Sequence, residues 1–404
     1  MSNKLIITHY NDRLVTAVFN EKEMIQVNFE EAEENCLLGN VYIGKVQNIV
    51  KNINAAFIEI APRVMSYLSL EEAINPIFTK WNNNRNKVKI GDELVVQVTK
   101  DAVKTKAPVV SSNISFAGRF VVLVHGKTNI GISAKIADLK KREQLKSWLA
   151  PYQNENYGFV VRTNAMNVSQ EALCYEIECL VKQYDEIIQY GVHKTRFTRL
   201  YHNEPSYICN LRDMAKDTFE EIITDDKDIY DNMRQYLNSS SPNEQGVKLR
   251  FYDDKMICLS NLYSFPSKIE NALKPHVWLK SGGSIVIQPT EALTVIDVNT
   301  EKAIAGKKNV QETFFKINME AATEIAKQIR LRNLSGIIII DFIDMLEQEK
   351  KDQLMKELAN LFKKDPVKTV LVDMTALGLV EVTRKKIKRP LHEQIRNCKT
   401  NDNR

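Results

Sequence analysis

Thr294-Val295-Ile296-Asp297-Val298-Asn299 and Ile337-Ile338-Ile339-Ile340-Asp341-Phe342-Ile343-Asp344 are the two stretches that decide the fold class. Each is a short apolar run, rich in β-branched residues, that reaches an aspartate. Uninterrupted runs of this kind are typical of strands covered on both faces. Between them, from about Glu312 to Arg332, the residues Phe314, Ile317, Ala321, Ile325 and Ile329 recur at helical spacing. Lys327, Arg330 and Arg332 lie near the C-terminal end of that segment. Strand, helix, strand in that order is a parallel crossover, which brings Asp297 and Asp341 to the same sheet edge. Carboxylates at that edge are a usual position for active-site groups in open α/β sheets.

Two such carboxylates on neighbouring strands suit one hard, oxygen-loving cation such as Mg²⁺. The plainer alternative is that each aspartate caps the turn or helix that follows. Asp297-x-Asn299 places two oxygen ligands on one strand face, since alternate residues point the same way. The carboxylate can hold a metal while the amide orients it or its waters. Asp344 reads more readily as structural. Mg²⁺ in such a place polarises a phosphate and lowers the pKa of an attacking water, so a metal-dependent hydrolase is the class to test.

The chain as a whole sets outer bounds. Its 404 residues leave room for roughly two to four domains with real cores. No run approaches the roughly 18 apolar residues of a membrane span. Met1-Ser2-Asn3-Lys4-Leu5-Ile6-Ile7 reads as the start of a strand rather than a signal peptide. Cys36, Cys174, Cys179, Cys209, Cys258 and Cys398 are scattered without a C-x-x-C pair, which reads as reduced thiols of a cytoplasmic protein. The histidines show no paired spacing. A formal net charge of +5 is mild, but basic residues cluster in Lys140-Lys141-Arg142 and in Arg384-Lys385-Lys386-Ile387-Lys388-Arg389. Such clusters permit a polyanion partner, and more often they are solvated faces.

Upstream of the aspartates the pattern changes. Residues 1 to 36 alternate apolar and polar and predict a β-meander. From Gly39-Asn40-Val41-Tyr42-Ile43-Gly44-Lys45-Val46 onward, short strands at Ala55 to Ile60, Ser66 to Leu70, Glu93 to Val98 and Val109 to Ser112 predict a small barrel. Tyr42, Phe57 and Tyr67, interleaved with Lys45, Arg63 and Lys106, offer it exposed rings for base stacking and cations for phosphates. The competing assignment for Phe57 is ordinary core. A strand at Phe120 to Val124 and a helix at Gln170 to Tyr190, with Leu173, Ile177, Leu180, Val181 and Tyr184 on one face, belong to a mixed α/β region. Within it Arg162-Thr163 follows the apolar run Phe159-Val160-Val161; a guanidinium fork plus a hydroxyl suits a terminal phosphate. An isolated Arg-Thr pair is otherwise ordinary surface chemistry. Residues 207 to 270 hold a further strand-helix-strand segment, too short for a core of its own, which is expected to complete the N-terminal meander.

Gly39-Asn40-Val41-Tyr42-x-Gly44-Lys45-Val46, Ala55-Ala56-Phe57, Val161-Arg162-Thr163, Gly282-Gly283-Ser284-Ile285-Val286-Ile287, Glu291-Ala292-Leu293-Thr294, Ile296-Asp297-Val298-Asn299, Asn318-x-Glu320-Ala321-Ala322 and Asp341-Phe342-Ile343-Asp344-Met345 stand in this order. In that combination, over nearly its whole length, the chain resembles the ribonuclease E/G family. The resemblance implies a multidomain α/β protein with a β-barrel. A non-catalytic RNase H-like domain would be divided between 1–36 and 207–270. Inserted in it would be an S1 (OB-type) barrel, 37–118, and a 5′-end sensor, 119–206. A DNase I-like α/β catalytic domain, 271–395, and a tail, 396–404, would follow. By match, Asp297 and Asp341 would bind Mg²⁺ with Asn299 in support. Phe57, Tyr67 and Lys106 would hold RNA, and Gly118, Val122, Arg162 and Thr163 would form the pocket for a 5′ monophosphate.

The implied activity is Mg²⁺-dependent endoribonucleolytic cleavage of single-stranded RNA, an mRNA or rRNA precursor, in cytoplasmic RNA processing or turnover. It would leave a 5′ phosphate and a 3′ hydroxyl and would be stimulated by a 5′-monophosphate end. A catalytically lapsed S1-type RNA-binding protein is the alternative; retention of Asp297, Asp341 and Asn299 speaks against it. A Mg²⁺ phosphatase acting on small molecules would not need the aromatic-basic barrel. The chain departs from the family in two places. Only Cys398 stands where a C-P-x-C-x-G-like zinc link is usual, with His392 nearby, so no stoichiometric zinc is expected. No long scaffold tail is expected, and the chain looks like a short form of the family. A homodimer or higher homo-oligomer, held by packing rather than zinc, is expected. Tyr67 stands where phenylalanine is usual and keeps a stackable ring.

Overall fold

Strands β1 (Asn3–Tyr10), β2 (Arg13–Asn20) and β3 (Glu23–Phe29) open the chain as an antiparallel meander. The turn between the first two is Asn11-Asp12, both at positive φ (51° and 56°). That backbone matches the twist of a two-residue hairpin and is most easily adopted by Asn, Asp or Gly. The computed structural model describes residues 3–30, 37–73, 75–79, 87–100, 107–213, 219–239, 247–301 and 310–396. Cys36, Lys106 and Cys398 lie outside the described residues. The chain divides into two compact units: one gathers residues 1–31, 218–237 and 244–404, the other 32–217 and 238–243.

The second unit begins with a barrel. Strands β4 (Val41–Val50), β5 (Ala55–Ala61), β6 (Val64–Ser69), β7 (Glu93–Lys100) and β8 (Val109–Ser111) pair in the order β4-β5-β6-β8-β7, and β7 returns to β4 and closes the ring. Closure removes free edges, and inward positions fill the lumen. Val46, Ile58, Ile60, Leu68, Leu94 and Val96 do so here. Tyr42 joins them at 7% exposure, with its hydroxyl accepting from Asn40. The expectation of an exposed ring at Tyr42 is therefore wrong: its place on β4 points it into the barrel. Next come β9 (Ser115–Ala117), β10 (Val121–His125), β11 (Ile130–Ile132) and β12 (Tyr157–Val161), in a sheet of order β11-β12-β10-β9. Helices α1 (Leu139–Leu149) and α2 (Gln170–Gln189) bury Leu145, Leu149, Leu173 and Ile177 against it. Strand β13 (Arg199–Tyr201) pairs with β4, and α3 (Ser206–Asp213) follows.

The chain then returns to the first unit. Strand β14 (Glu221–Thr224) pairs parallel with β1, and α4 (Lys227–Ser239) leads to β15 (Lys248–Phe251), parallel with β14. The meander thus becomes a five-stranded mixed sheet, β15-β14-β1-β2-β3. Helices α5 (Leu259–Leu262) and α6 (Phe265–Leu273) pack Leu259, Phe265 and Ile269 on its Ile6 and Phe19.

A six-stranded sheet completes the unit. Its strands are β16 (His276–Trp278), β17 (Ser284–Pro289), β18 (Leu293–Asn299), β19 (Gly336–Asp341), β20 (Thr369–Met374) and β21 (Leu379–Arg384), in the order β16-β17-β18-β19-β21-β20. Helix α7 (Val310–Leu331) is the crossover between β18 and β19, the one parallel pair of this sheet. Helices α7 and α8 (Gln348–Lys363) bury Ile317, Ala321, Ile325, Leu354 and Leu358 against Ile296, Ile338, Ile340, Val380 and Val382. Among the described residues, these helices cover that face. Ile337, on the other, is 50% exposed, which corrects the expectation that β19 is covered on both faces. Helix α9 (Leu391–Arg396) ends the described chain.

In the basic run at the end of β21, Lys385 and Lys386 are exposed, as a solvated face would be, and Arg384 departs from that reading. Arg384 is buried and binds Asp365 through Nε (2.7 Å) and Nη2 (3.3 Å). Its Nη1 donates to Asn333 Oδ1 and to the Leu334 carbonyl. It locks the turn after α7 to the strand rather than facing solvent or a polyanion. Among the described residues no helix is long and apolar enough to cross a membrane.

Candidate active site

Asp297 and Asp341 are register partners on β18 and β19, directly opposite each other at the C-terminal ends of two parallel strands. Partners of this kind project from the same face. Because burial alternates along both strands, that face is the one away from α7 and α8. Asn299, two residues on, donates from Nδ2 to Asp297 Oδ2 at 2.7 Å. The amide therefore steers one carboxylate. Partial desolvation, and after it the negative charges of Asp297 and Asp344, hold the Asp341 carboxyl above the usual carboxylate range. Asp344 thus contributes to the field of the pair, beyond a purely structural place in its loop.

The loop beyond Asp341 is pinned from below. Asn318, fully buried on α7, donates to the Ile343 carbonyl (2.8 Å) and accepts from the Ile343 amide (3.1 Å). Glu320, on the same helix, accepts from the Lys280 and Ser281 amides at 2.6 and 3.0 Å. Neither role was assigned from sequence, although a polar residue beside the apolar Ile317 of a buried stripe is a usable signal. Among the described residues no group of three or more His, Cys, Asp or Glu side chains gathers to hold a metal. A pair of carboxylates with neighbouring amide support suits Mg²⁺, which usually keeps several waters and takes one or two carboxylates.

A second cluster lies at the ends of β10 and β12. Arg162 donates from Nη1 to the Gly118 carbonyl at 2.9 Å, and its backbone amide donates to the Phe120 carbonyl at 2.8 Å. The Thr163 hydroxyl is 3.1 Å from that of Ser133. Ser133 is itself held: its amide donates to Val161, and its carbonyl accepts from Arg142. Val122, half-buried on β10, lies opposite Ala117 and Val160. Gly118, Val122, Arg162 and Thr163 therefore share one corner of this sheet. Glu176 of α2, which the sequence reading passed over, accepts from the amides of Arg119, Phe120 and Val121 in the same corner.

On the barrel, Phe57 and Tyr67 are directly opposed on β5 and β6. Their ring centroids are 6.2 Å apart at 79°, an edge-to-face pair. Both residues are half-buried, which excludes an ordinary core position for Phe57.

The fold and these three clusters, a mixed α/β chain with a closed five-stranded barrel and a strand-end acid pair, fit a nucleic-acid-directed hydrolase. Comparison with known proteins then defines the family. A family model described as the Ribonuclease E/G family matches residues 115–387, and the chain belongs to that family. It is 31% identical to Ribonuclease G of Escherichia coli (strain K12) over 385 residues, which cover 93% of this chain and 78% of that protein. It is 32% identical to a Ribonuclease E of Nostoc sp. over 403 residues, 97% of this chain and 57% of that protein. With a putative ribonuclease E of Buchnera aphidicola it shares 31% identity over 386 residues, 94% of each.

Proposed function

We propose that this chain is an endoribonuclease that hydrolyses single-stranded RNA with Mg²⁺ bound between Asp297 and Asp341. The observation that carries the proposal is the in-register pairing of those two carboxylates at the ends of parallel strands, with Asn299 bonded to one of them. Membership of the ribonuclease E/G family supplies the substrate class. Bound there, Mg²⁺ would polarise the scissile phosphate and acidify the attacking water. Asp297 and Asp341 supply the two negative oxygens, and the Asn299 amide restrains Asp297. Through Ile343, Asn318 keeps the loop beyond Asp341 in place. Phe57 and Tyr67 offer ring faces to unstacked bases. Lys106 would add charge to that surface. Arg162 and Thr163, with Gly118 and Val122 beside them, would receive a 5′-terminal phosphate and favour monophosphorylated substrates.

In this reading residues 37–118 act as the S1-type barrel and 119–206 as the 5′-end sensor. Residues 271–395 are the DNase I-like catalytic domain, and the sheet shared by 1–36 and 207–270 is a non-catalytic RNase H-like support. The products are a 5′ phosphate and a 3′ hydroxyl, and the enzyme works in the cytoplasm as a homodimer or larger homo-oligomer. The test is cleavage of a labelled, 5′-monophosphorylated single-stranded oligoribonucleotide by the purified protein with and without Mg²⁺. Cleavage independent of added Mg²⁺ and of a chelator would overturn the metal assignment; retention of cleavage by Asp297→Asn would overturn the site.

A further inference from the structure

The hairpin between β9 and β10 turns through Gly118-Arg119-Phe120, and the Gly118 amide donates back to the Val121 carbonyl at 2.8 Å. That turn points successive amides to one side, and successive N–H groups of this kind form a concave anion-binding pocket. The pocket is filled from within the protein. Glu176 Oε2 accepts from Arg119 N at 2.8 Å, and Oε1 accepts from Phe120 N at 2.8 Å and Val121 N at 2.9 Å. The approach leaves no room for a side chain on the turn: a Cβ on Gly118 would stand 2.3 Å from Glu176 Oε1 and 2.5 Å from its carboxyl carbon. A side chain at 118 would therefore displace the Glu176 carboxylate from these amides.

Glu176 is out of place by the ordinary logic of an amphipathic helix. It falls three residues after Leu173 and four before Leu180, in line with the buried stripe of α2. Burial pushes its carboxyl pKa up, against the opposing pull of the three amides and of Arg162. Glu176 is half-buried, and a partly desolvated carboxylate is tolerated where hydrogen bonds compensate the lost water, as three amides do here. The turn it clamps is the one on which Arg162 rests. The Gly118 carbonyl receives the guanidinium, and the Phe120 carbonyl receives the Arg162 amide.

We infer that Glu176 is the positioning residue of the phosphate-sensing corner: it holds the 118–121 turn, and through the Gly118 and Phe120 carbonyls it sets where Arg162 stands. A corollary is that the amides of Arg119, Phe120 and Val121 belong to Glu176 and not to the incoming phosphate. The inference rests on the sensor role proposed above for Arg162, and its test separates the two. Cleavage is measured on 5′-monophosphate and 5′-hydroxyl versions of one single-stranded oligoribonucleotide with wild type, Arg162→Ala, Glu176→Gln, Gly118→Ala, Glu176→Ala and the Gly118→Ala/Glu176→Ala double variant. The readout is the ratio of kcat/KM values, which does not depend on how much of a preparation is folded.

In Glu176→Gln the amide NH₂ faces a backbone N–H, so one bond becomes a donor–donor contact. The monophosphate advantage should fall on the order of tenfold to a hundredfold through the KM of the 5′-monophosphate substrate, the scale of a misplaced binding group. Gly118→Ala should mimic it, and should cost less in the Glu176→Ala background, where the added methyl finds space. If Arg162→Ala abolishes the advantage while Glu176→Gln and Gly118→Ala keep it, the positioning role is wrong. If Arg162→Ala itself keeps the advantage, the sensor reading fails, and the role of Glu176 in it fails too.

Discussion

At the ends of β18 and β19 two carboxylates stand opposite each other, while at the end of β12 a guanidinium and a carboxylate are both tied to one turn. The first corner concentrates like charge, and its nearest polar support is an amide that steers rather than neutralises. The second corner offsets its charge internally, through the amides around Glu176 and the carbonyls around Arg162. Like charge gathered beside Asp341, with partial desolvation, keeps its carboxyl above the usual carboxylate range, and such an arrangement favours a cation. A corner already balanced is a preorganised frame, which under the proposed sensor role would receive an anion with little rearrangement. One corner thus has the charge of the proposed cation site, and the other holds a fixed shape.

That contrast breaks first at the acid pair. Asp297→Asn and Asp341→Asn should each lower cleavage by orders of magnitude while RNA affinity stays within a few-fold, because in the proposed function ring and basic surfaces do the holding. Parallel loss of affinity and rate, measured by anisotropy and single-turnover cleavage, would mean that the pair binds RNA directly. A charge in the same sheet offers a control. Arg384→Met leaves Asp365 buried without its partner and should cost about 3–5 kcal/mol in denaturant unfolding, the range for breaking one side of a buried pair. Stability close to wild type would show that water reaches Asp365.

The balanced corner should respond more gently. Arg162→Ala should lower kcat/KM on a 5′-monophosphate substrate by about 10- to 100-fold, the worth of hydrogen bonds to a charged group, and leave the 5′-hydroxyl substrate nearly unchanged. Equal losses on both would make Arg162 structural. Phe57→Ala should weaken binding by roughly 1–3 kcal/mol, one base–aromatic stack. Unchanged affinity in a folded variant would remove Phe57 from the RNA surface.

The smallest effect concerns pH. His125 on β10 is buried, with Nε2 2.7 Å from the Asn75 carbonyl and Nδ1 2.8 Å from the Tyr184 hydroxyl. A carbonyl can only accept, so Nε2 carries the proton and Nδ1 accepts from Tyr184. Burial holds its pKa below the ordinary 6.5, with the Asn75 bond opposing. The unfolded chain then takes up this proton at higher pH than the folded one. The associated stability is complete above pH 6.5 and is lost as pH falls through the folded value. Melting followed by circular dichroism from neutral to mildly acid pH should show this, and His125→Gln should flatten the difference.

Much of this molecule was readable along the chain. The strand runs ending in Asp297 and Asp341 and the α7 stripe between them lie where periodicity put them, because apolar spacing follows the geometry of each element. The parallel crossover then fixed which edge both aspartates share. The short strands from Val41 onward announced the barrel in the same way. Periodicity says less about which face is covered. Tyr42 went inward where an exposed ring was expected, and Ile337 stayed half exposed where a closed core was expected.

What the sequence by itself determined is the opening meander, the barrel strands, the α2 and α7 stripes, the crossover that carries the acid pair, and the family motifs, since these depend on local spacing and residue type. Only the tertiary structure decided that Arg384 is an internal lock and that Asn318 holds the loop beyond Asp341. It also decided that Glu176 fills the turn under Arg162. These roles join residues 19, 25 and 55 to 57 positions apart. A polar side chain in an apolar stripe looks like a fault until the amides that it satisfies are seen, and those amides come from another part of the chain.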